Sequence, residues 1–449
     1  MLKRDPEAVD SPIVGTVAAS AVIMACGLVT GLIAARSLGP NGRGQLAALT
    51  VWTITFQYAG DFGLPDAVAY VSGSERRLRD RVWTTAQALA IAFGLLITLV
   101  GWWIVPFVFT GDNEALVPGA RWYLTWFVVP SLGVSVALAW LHGVGRMRAF
   151  NLSRSTVQLV NAAGMMLLFI AGDDSVLHFA AVLLVGNAAA WCVAASFGPG
   201  RQMAAAPPSA PLARRMLGYG LRMQYGNWSN VANVRLDQLL LSLFTSATSL
   251  GLYVVAVNYA MLLQAMANTA GMAMWPGMVA AGQAGDGPAY VTLWYRRLLW
   301  LTLAAAVVLA AASAFIIPVL IGPAFSSAVP IAVLLVLAVV FLGMNEILLT
   351  AFRGIGRPDI ASASQVIGLA VTVVALTVLL PRWGVYGAAA ASLLSYGSTH
   401  AYLLRRTVVT FGISMTSLIV LTRKDLDALR TAGVSILRRD DAASPRPAE

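Results

Sequence analysis

The sequence is poor in charge. Only 11% of its 449 residues are Asp, Glu, Lys or Arg, against about 25% in an ordinary soluble domain. A water-covered globule is therefore excluded as the main architecture. Cysteine is scarce as well. Cys26 and Cys192 both lie inside apolar stretches and read as packing residues, not as a disulfide or metal pair. The three histidines, His142, His178 and His400, form no ligand spacing. No Gly-rich loop runs into Lys and Ser/Thr, and no His-rich metalloprotease motif occurs, so ATP hydrolysis within this chain and metalloprotease chemistry are not expected. No cofactor and no metal are called for. Long outward loops, where a membrane glycan polymerase or ligase would carry catalytic residues, are also missing.

What the chain has is apolar length. Hydrophobic residues make up 58% of it. Runs of about 20 apolar residues, enough to cross a roughly 30 Å hydrocarbon core, recur along nearly all of it. Twelve spans are expected, near 13–35, 44–66, 83–109, 119–141, 153–172, 175–197, 216–243, 249–273, 296–320, 328–352, 360–381 and 385–407. All are read as helices, because lipid offers no hydrogen-bond partner to irregular backbone. The first follows MLKRDPEAVDSP without a small-residue cleavage site and reads as a retained span. The expected fold class is an all-α polytopic membrane protein of about twelve transmembrane helices.

The basic residues support that count. Arg76, Arg77, Arg79 and Arg81 follow span two, and Arg146, Arg148 and Arg154 follow span four. Arg201, Arg214 and Arg215 follow span six, Arg296 and Arg297 flank span nine, and Arg353 and Arg357 follow span ten. The opposite loops hold only Arg36, Arg43, Arg121 and Arg382. Every even-numbered loop is thus the basic one, and the positive-inside rule puts those loops and both termini in the cytoplasm. The net charge of +10 is accounted for by these loops, and nucleic acid is not an expected partner.

The longest connection, FGPGRQMAAAPPSAPLARR, is rich in Pro and Ala and reads as a linker. It divides the chain into an N-terminal six-helix lobe, 1–197, a cytoplasmic linker, 198–215, a C-terminal six-helix lobe, 216–407, and a cytoplasmic tail, 408–449. The tail carries a short helical pattern, RKDLDALRTAGVSILRR, before a polar end and reads as a solvated terminus. The two halves look duplicated. LHGVGRMRAF, 141–150, matches FRGIGRPDIA, 352–361, pairing Gly143, Gly145 and Arg146 with Gly354, Gly356 and Arg357. LGPNGRGQLAAL, 38–49, matches SATSLGLYVVAV, 246–257, with Gly44 meeting Gly251. Equivalent loops lie six spans apart, and six is even. The halves therefore share one orientation, which predicts a pseudo-two-fold axis along the membrane normal. The glycines suit tight turns and the arginines suit phospholipid headgroups.

The stretch 215–244, RMLGYGLRMQYGNWSNVANVRLDQLLLSLF, is of spanning length yet carries Arg222, Gln224, Asn227, Asn230, Asn233, Arg235 and Asp237. Such groups are costly against lipid, so this helix must face protein or water. At 100° per residue, Gly226, Asn230, Asn233 and Asp237 share one face with Arg222 close by, while Gln224 and Arg235 fall on another. Asp61 sits among Gly60, Gly63 and Pro65, which would interrupt a regular helix. Span ten carries Asn345 and Glu346. Two readings are open. The asparagines hydrogen-bond between helices and the charges form structural ion pairs, Glu346 with one of the arginines. Alternatively, a water-filled cavity between two bundles uses Arg36, Arg222, Arg235, Asn230 and Asn233 to bind an anionic head by forked hydrogen bonds. On that reading Asp61, Asp237 and Glu346 bind H⁺ or Na⁺ or hold the arginines in place.

ARSLGPNGRGQLAAL followed by FGLPDAVAYVSG resembles the opening of bacterial polysaccharide flippases of the multidrug/oligosaccharidyl-lipid/polysaccharide exporter superfamily. RLDQLLLSLF and LGLYVVAVNYA resemble the start of their second half. The resemblance spans all twelve segments. It implies a V-shaped pair of six-helix lobes and alternating access. It also implies a cargo of undecaprenyl-diphosphate-linked oligosaccharide, moved to the outer leaflet of the bacterial inner membrane, with a polysaccharide polymerase and export machinery as further partners. Peptidoglycan-precursor flippases of the superfamily use cavity arginines near spans one, two and eight. Arg36 and Arg43 suit the first two positions, but span eight has no arginine and two extra spans are absent. An antiporter of small organic cations is the other alternative, kept open by Asp61 and Glu346.

Overall fold

The computed structural model describes residues 7–199 and 206–420, all of the regular structure among them being helical. In chain order these are α1 (Glu7–Gly60), α2 (Leu64–Ser74), α3 (Arg79–Val108), α4 (Val117–Gly143), α5 (Met147–Ile170), α6 (Val176–Ser196), α7 (Ala210–Phe244), α8 (Ala247–Ala284), α9 (Gly287–Ile316), α10 (Val329–Gly354), α11 (Pro358–Phe411) and the short α12 (Met415–Ile419). The tail helix expected after residue 422, the two termini and most of the centre of the linker lie outside the described residues.

Two of these helices are too long for one crossing. Each of α1 and α11 has 54 residues, about 80 Å at 1.5 Å per residue. Each is divided by one glycine with non-helical backbone, Gly39 (φ 62°, ψ −176°) in α1 and Gly384 (φ 52°, ψ −127°) in α11. Left-handed φ is accessible to glycine without a Cβ clash. Among the described residues, the arms 7–38, 40–60, 358–383 and 385–411 together with α3 to α10 make twelve rods of crossing length. Among the described residues, eight helices are apolar and long enough to span a membrane, α1 and α11 being counted once each. Helices α5 and α7 complete the set, α7 being the one rich in polar and charged residues. The chain is a multi-pass membrane protein.

The second arm of α1 ends where Gly60, Gly63 and Pro65 predict an interruption. Phe62 and Gly63 adopt φ of 49° and 67°, and α2 restarts with Pro65 in its first turn. Helix α7 starts at Ala210, inside the stretch read as linker, with Ser209 as N-cap and Pro in the first turn.

Close packing groups the helices into two compact units. The first holds residues up to Tyr259 together with Ala312–Leu334 and Thr372–Ser392. Its centre is α4, which buries Tyr123, Leu124, Phe127, Val128, Leu132 and Trp140. Its outside is apolar: Leu95, Leu99, Trp103 and Phe107 recur every four residues along α3 and are 60 to 79% exposed. That stripe faces lipid, which needs no polar cover. Cys26 and Cys192 also differ from expectation. Their thiols are free, Cys26 half-exposed and Cys192 exposed, so these small apolar side chains face outward instead of filling the core.

Within this unit the repeat becomes physical. A Cβ on Gly44 would stand 1.7 Å from the Ala247 carbonyl oxygen, and a Cβ on Gly251 would stand 1.9 Å from the Pro40 carbonyl oxygen. Pro40 and Ala247 are separated by the same 207 positions as Gly44 and Gly251. The contact is reciprocal, the signature of a two-fold relation. The second unit, Ala260–Ala311, Leu335–Val371 and Leu393 onward, is centred on Tyr295, Leu348, Leu349, Phe352 and Leu403.

Candidate functional site

Helix α7 docks on the α1–α2 break, and the break explains why. Interrupting a helix frees carbonyls of its last turn. The Tyr58 carbonyl is taken by the Gln224 side-chain amide at 2.7 Å and by the Trp228 indole N–H at 3.3 Å. Asp61, buried, accepts the Gly63 backbone N–H at 2.9 Å, with the Gln224 side chain as its polar neighbour. The close approach is made by two glycines: a Cβ on Gly63 would lie 2.1 Å from the Gly220 carbonyl oxygen. At the end of α2, Arg215 of α7 forms an ion pair with Glu75. That hydrogen bond holds Glu75 below its ordinary carboxylate range.

Further along α7 the charges are held separately. Arg222 is exposed and its Nε donates to the Gly218 carbonyl at 2.9 Å. The Arg235 Nη1 donates to Gln238 Oε1 at 3.4 Å. Asp237 is buried and accepts the Tyr253 hydroxyl at 2.5 Å and the Gln238 backbone N–H at 2.7 Å. Among the described residues, Arg222 and Arg235 are not brought onto a shared partner. The Asn230 side chain lies outside the described residues, whereas Asn233 is half-buried. Arg36 donates to the Val319 carbonyl at 2.9 Å.

Two groups gain partners or burial that the sequence did not indicate. Arg43 precedes the Gly44 contact, and its Nε is buried with no hydrogen-bond partner among the described residues. A loop position beside Arg36 gave no sign of that burial. In the second unit, Asn345, His400 and Tyr295 form a buried chain. The Asn345 amide donates to the Tyr396 carbonyl at 3.1 Å, so its Oδ1 faces His400 Nδ1 at 2.9 Å as acceptor. His400 Nε2 meets the Tyr295 hydroxyl at 2.9 Å. This is the pattern of an Nδ1–H tautomer accepting from tyrosine. His400 lies 55 residues from Asn345 and 105 from Tyr295, so no local spacing announced it. Glu346, next to Asn345 and half-buried, has Arg353 as its charged neighbour.

The GxGR turns are built alike. Gly145 and Gly356 have φ of 80° and 75°, ending α4 and α10, with Gly143 packed against Ser72 and Ala69 and Gly354 against Met278. Their arginines diverge. Arg357 bonds Asp359 through Nε and Nη2 at 3.0 and 2.9 Å. Arg146 donates to the Phe197 carbonyl at 2.6 Å and lies over the Trp140 ring.

Comparison with known proteins fits this arrangement. The fold is similar to that of the lipid II flippase MurJ in an inward closed conformation (12% identity, 96% of this chain and 93% of that one, TM-score 0.74). It is also similar to an inward-facing multidrug resistance MATE family transporter of the MOP superfamily (13% identity, 88% and 98%, TM-score 0.68). The all-helical fold is thus one shared with those transporters. An uncharacterized membrane protein of Methanocaldococcus jannaschii is 27% identical over 192 residues, 42% of this chain. The chain spans 38% of the length of that relative. Residues 14–281, well over half of the sequence and including the α1–α2 break, all of α7 and most of α8, match the family described as Polysaccharide biosynthesis protein, and the chain belongs to that family.

Proposed function

We infer that this protein is a flippase that carries an undecaprenyl-diphosphate-linked oligosaccharide from the cytoplasmic to the outer leaflet of a bacterial inner membrane by alternating access. The observation that carries this reading is α7. Within the family-matched segment of a membrane protein, one helix of spanning length keeps Arg222 exposed and Arg235 half-buried. Neither guanidinium is bonded to a carboxylate among the described residues. Cationic forks on such a helix suit a lipid diphosphate. Asn233 and Asn230 add hydrogen-bonding capacity toward phosphate or sugar oxygens. Arg36, and Arg43 with its unpartnered Nε, extend the cationic set.

Asp61 and Glu346 are the candidates for H⁺ or Na⁺ coupling, and Asp237, tied to Tyr253, for orienting Arg235. The likeness to a lipid II flippase and to a MATE transporter concerns fold, so the cargo rests on the family and on these residues. The reading is tested by deleting the gene. Lipid-linked oligosaccharide should accumulate unflipped and return to normal with the wild-type copy. Unchanged precursor levels together with lost export of organic cations would replace the flippase by an antiporter.

A further inference from the structure

A cavity of about 470 Å³ opens at one end of the α3–α6 bundle, lined by Arg79, Asp80, Trp140, Arg146, Gly198 and Pro199. Its walls are fixed. The Trp140 indole N–H donates to the Arg79 carbonyl at 2.9 Å, and Trp140 packs edge-on against Trp83. Arg79 Nε donates to the Ser72 carbonyl at 2.9 Å. Arg146 is anchored on the Phe197 carbonyl at the end of α6 and lies 5.6 Å over the Trp140 ring. One N–H of each guanidinium is thereby used for placement. The remaining donors have no partner among the described residues.

The internal repeat supplies the independent argument. Arg146 and Arg357 are equivalent, and the residues two places on are Arg148 and Asp359. In the second half the arginine is neutralised by a two-pronged bond to Asp359. In the first half the neutralising acid is replaced by a further arginine. The one acid on the cavity wall, Asp80, makes no ion pair among the described residues and leaves the lining with a net positive charge.

We propose that this cavity is a binding site for a phosphate-bearing anion, seated between the Arg79 and Arg146 guanidinium groups beside the Trp140 ring. Phospholipid headgroups and soluble phosphate esters share that chemistry. The full-length protein in mild detergent tests it by thermal melting with added phosphatidylglycerol, with phosphatidylcholine and with inorganic phosphate, since a ligand of the folded state raises Tm. Arg148→Asp restores the acid of the second repeat at an exposed position, and Arg146→Gln removes the fork.

The expected result is stabilisation by phosphatidylglycerol over phosphatidylcholine, with the apparent affinity about tenfold weaker in both variants. Stabilisation by inorganic phosphate with the same sensitivity to the variants supports the site with a soluble ester as its ligand. Absence of stabilisation by either anion overturns the proposal. So does stabilisation that both folded variants retain in full, which would leave Arg146 as a cap for α6.

Discussion

Gly44 and Gly251 occupy equivalent places in the two halves of the sequence, and in the fold they touch, Gly44 meeting the backbone of Ala247 and Gly251 that of Pro40. Residues related by a two-fold axis meet only on that axis. The axis inferred from sequence repeats therefore passes through the crossing of α1 and α8, beside Arg43.

That crossing has no room for a side chain. Gly44→Ala or Gly251→Ala sets a methyl within 2 Å of a carbonyl oxygen, and backbone cannot yield as a side-chain tip does. Each substitution should cost at least ~2 kcal/mol by overpacking, read as lower Tm in detergent. Gly27→Ala in α1, with nothing within 4 Å, should be neutral or slightly stabilising. Equal melting of all three variants would contradict the tight crossing.

Gly145 and Gly356 separate strain from packing. A Cβ at either would meet nothing within 4 Å, yet both have positive φ. Alanine at each should cost about 1 kcal/mol through left-handed backbone alone, and by similar amounts. A cost at only one of them would mean the two turns are not equivalent.

The sequence made much of this legible. Apolar runs located the rods, and Gly60, Gly63 and Pro65 marked the α1–α2 break, because both signals are local. The Gly44–Gly251 pairing was visible as a repeat but not as a contact. Tyr253 as partner of Asp237, and His400 as partner of Asn345 and Tyr295, were not legible. Those partners are brought together by helix packing, and in a membrane protein an isolated Tyr or His inside an apolar run carries no periodic mark. The separate tethering of Arg222 and Arg235 was foreshadowed by their wide angle around α7.

The Glu75–Arg215 pair predicts a pH effect with a definite sign. Glu75 is held below its ordinary range by the hydrogen bond from Arg215. Its contribution is present above the unfolded carboxylate pKa and is lost as pH falls through the depressed folded value. Wild type should melt slightly above Glu75→Gln at neutral pH, and the difference should vanish in acid and shrink in high salt. A difference that grows on acidification would contradict the pair.

Asp61 has a structural and a proposed coupling role, which two variants separate. Asp61→Asn keeps an oxygen for the Gly63 N–H, whereas Asp61→Ala leaves it unsatisfied, a loss of ~1–3 kcal/mol. If Asp61 couples transport to an ion, Asp61→Asn should melt near wild type yet lose the pH or Na⁺ dependence of flipping. Retained dependence in folded Asp61→Asn and Glu346→Gln would remove both from that role.

Reconstitution tests the central claim most directly. Vesicles holding the purified protein and a fluorescent undecaprenyl-diphosphate-linked oligosaccharide report, through a membrane-impermeant quencher, how fast cargo changes leaflet. The wild type should equilibrate the leaflets, and Arg222→Ala with Arg235→Ala should slow this about tenfold, more than the matching Lys variants, which keep charge but lose the fork. Cargo that stays in its leaflet with the wild-type protein, as in empty vesicles, would contradict the account.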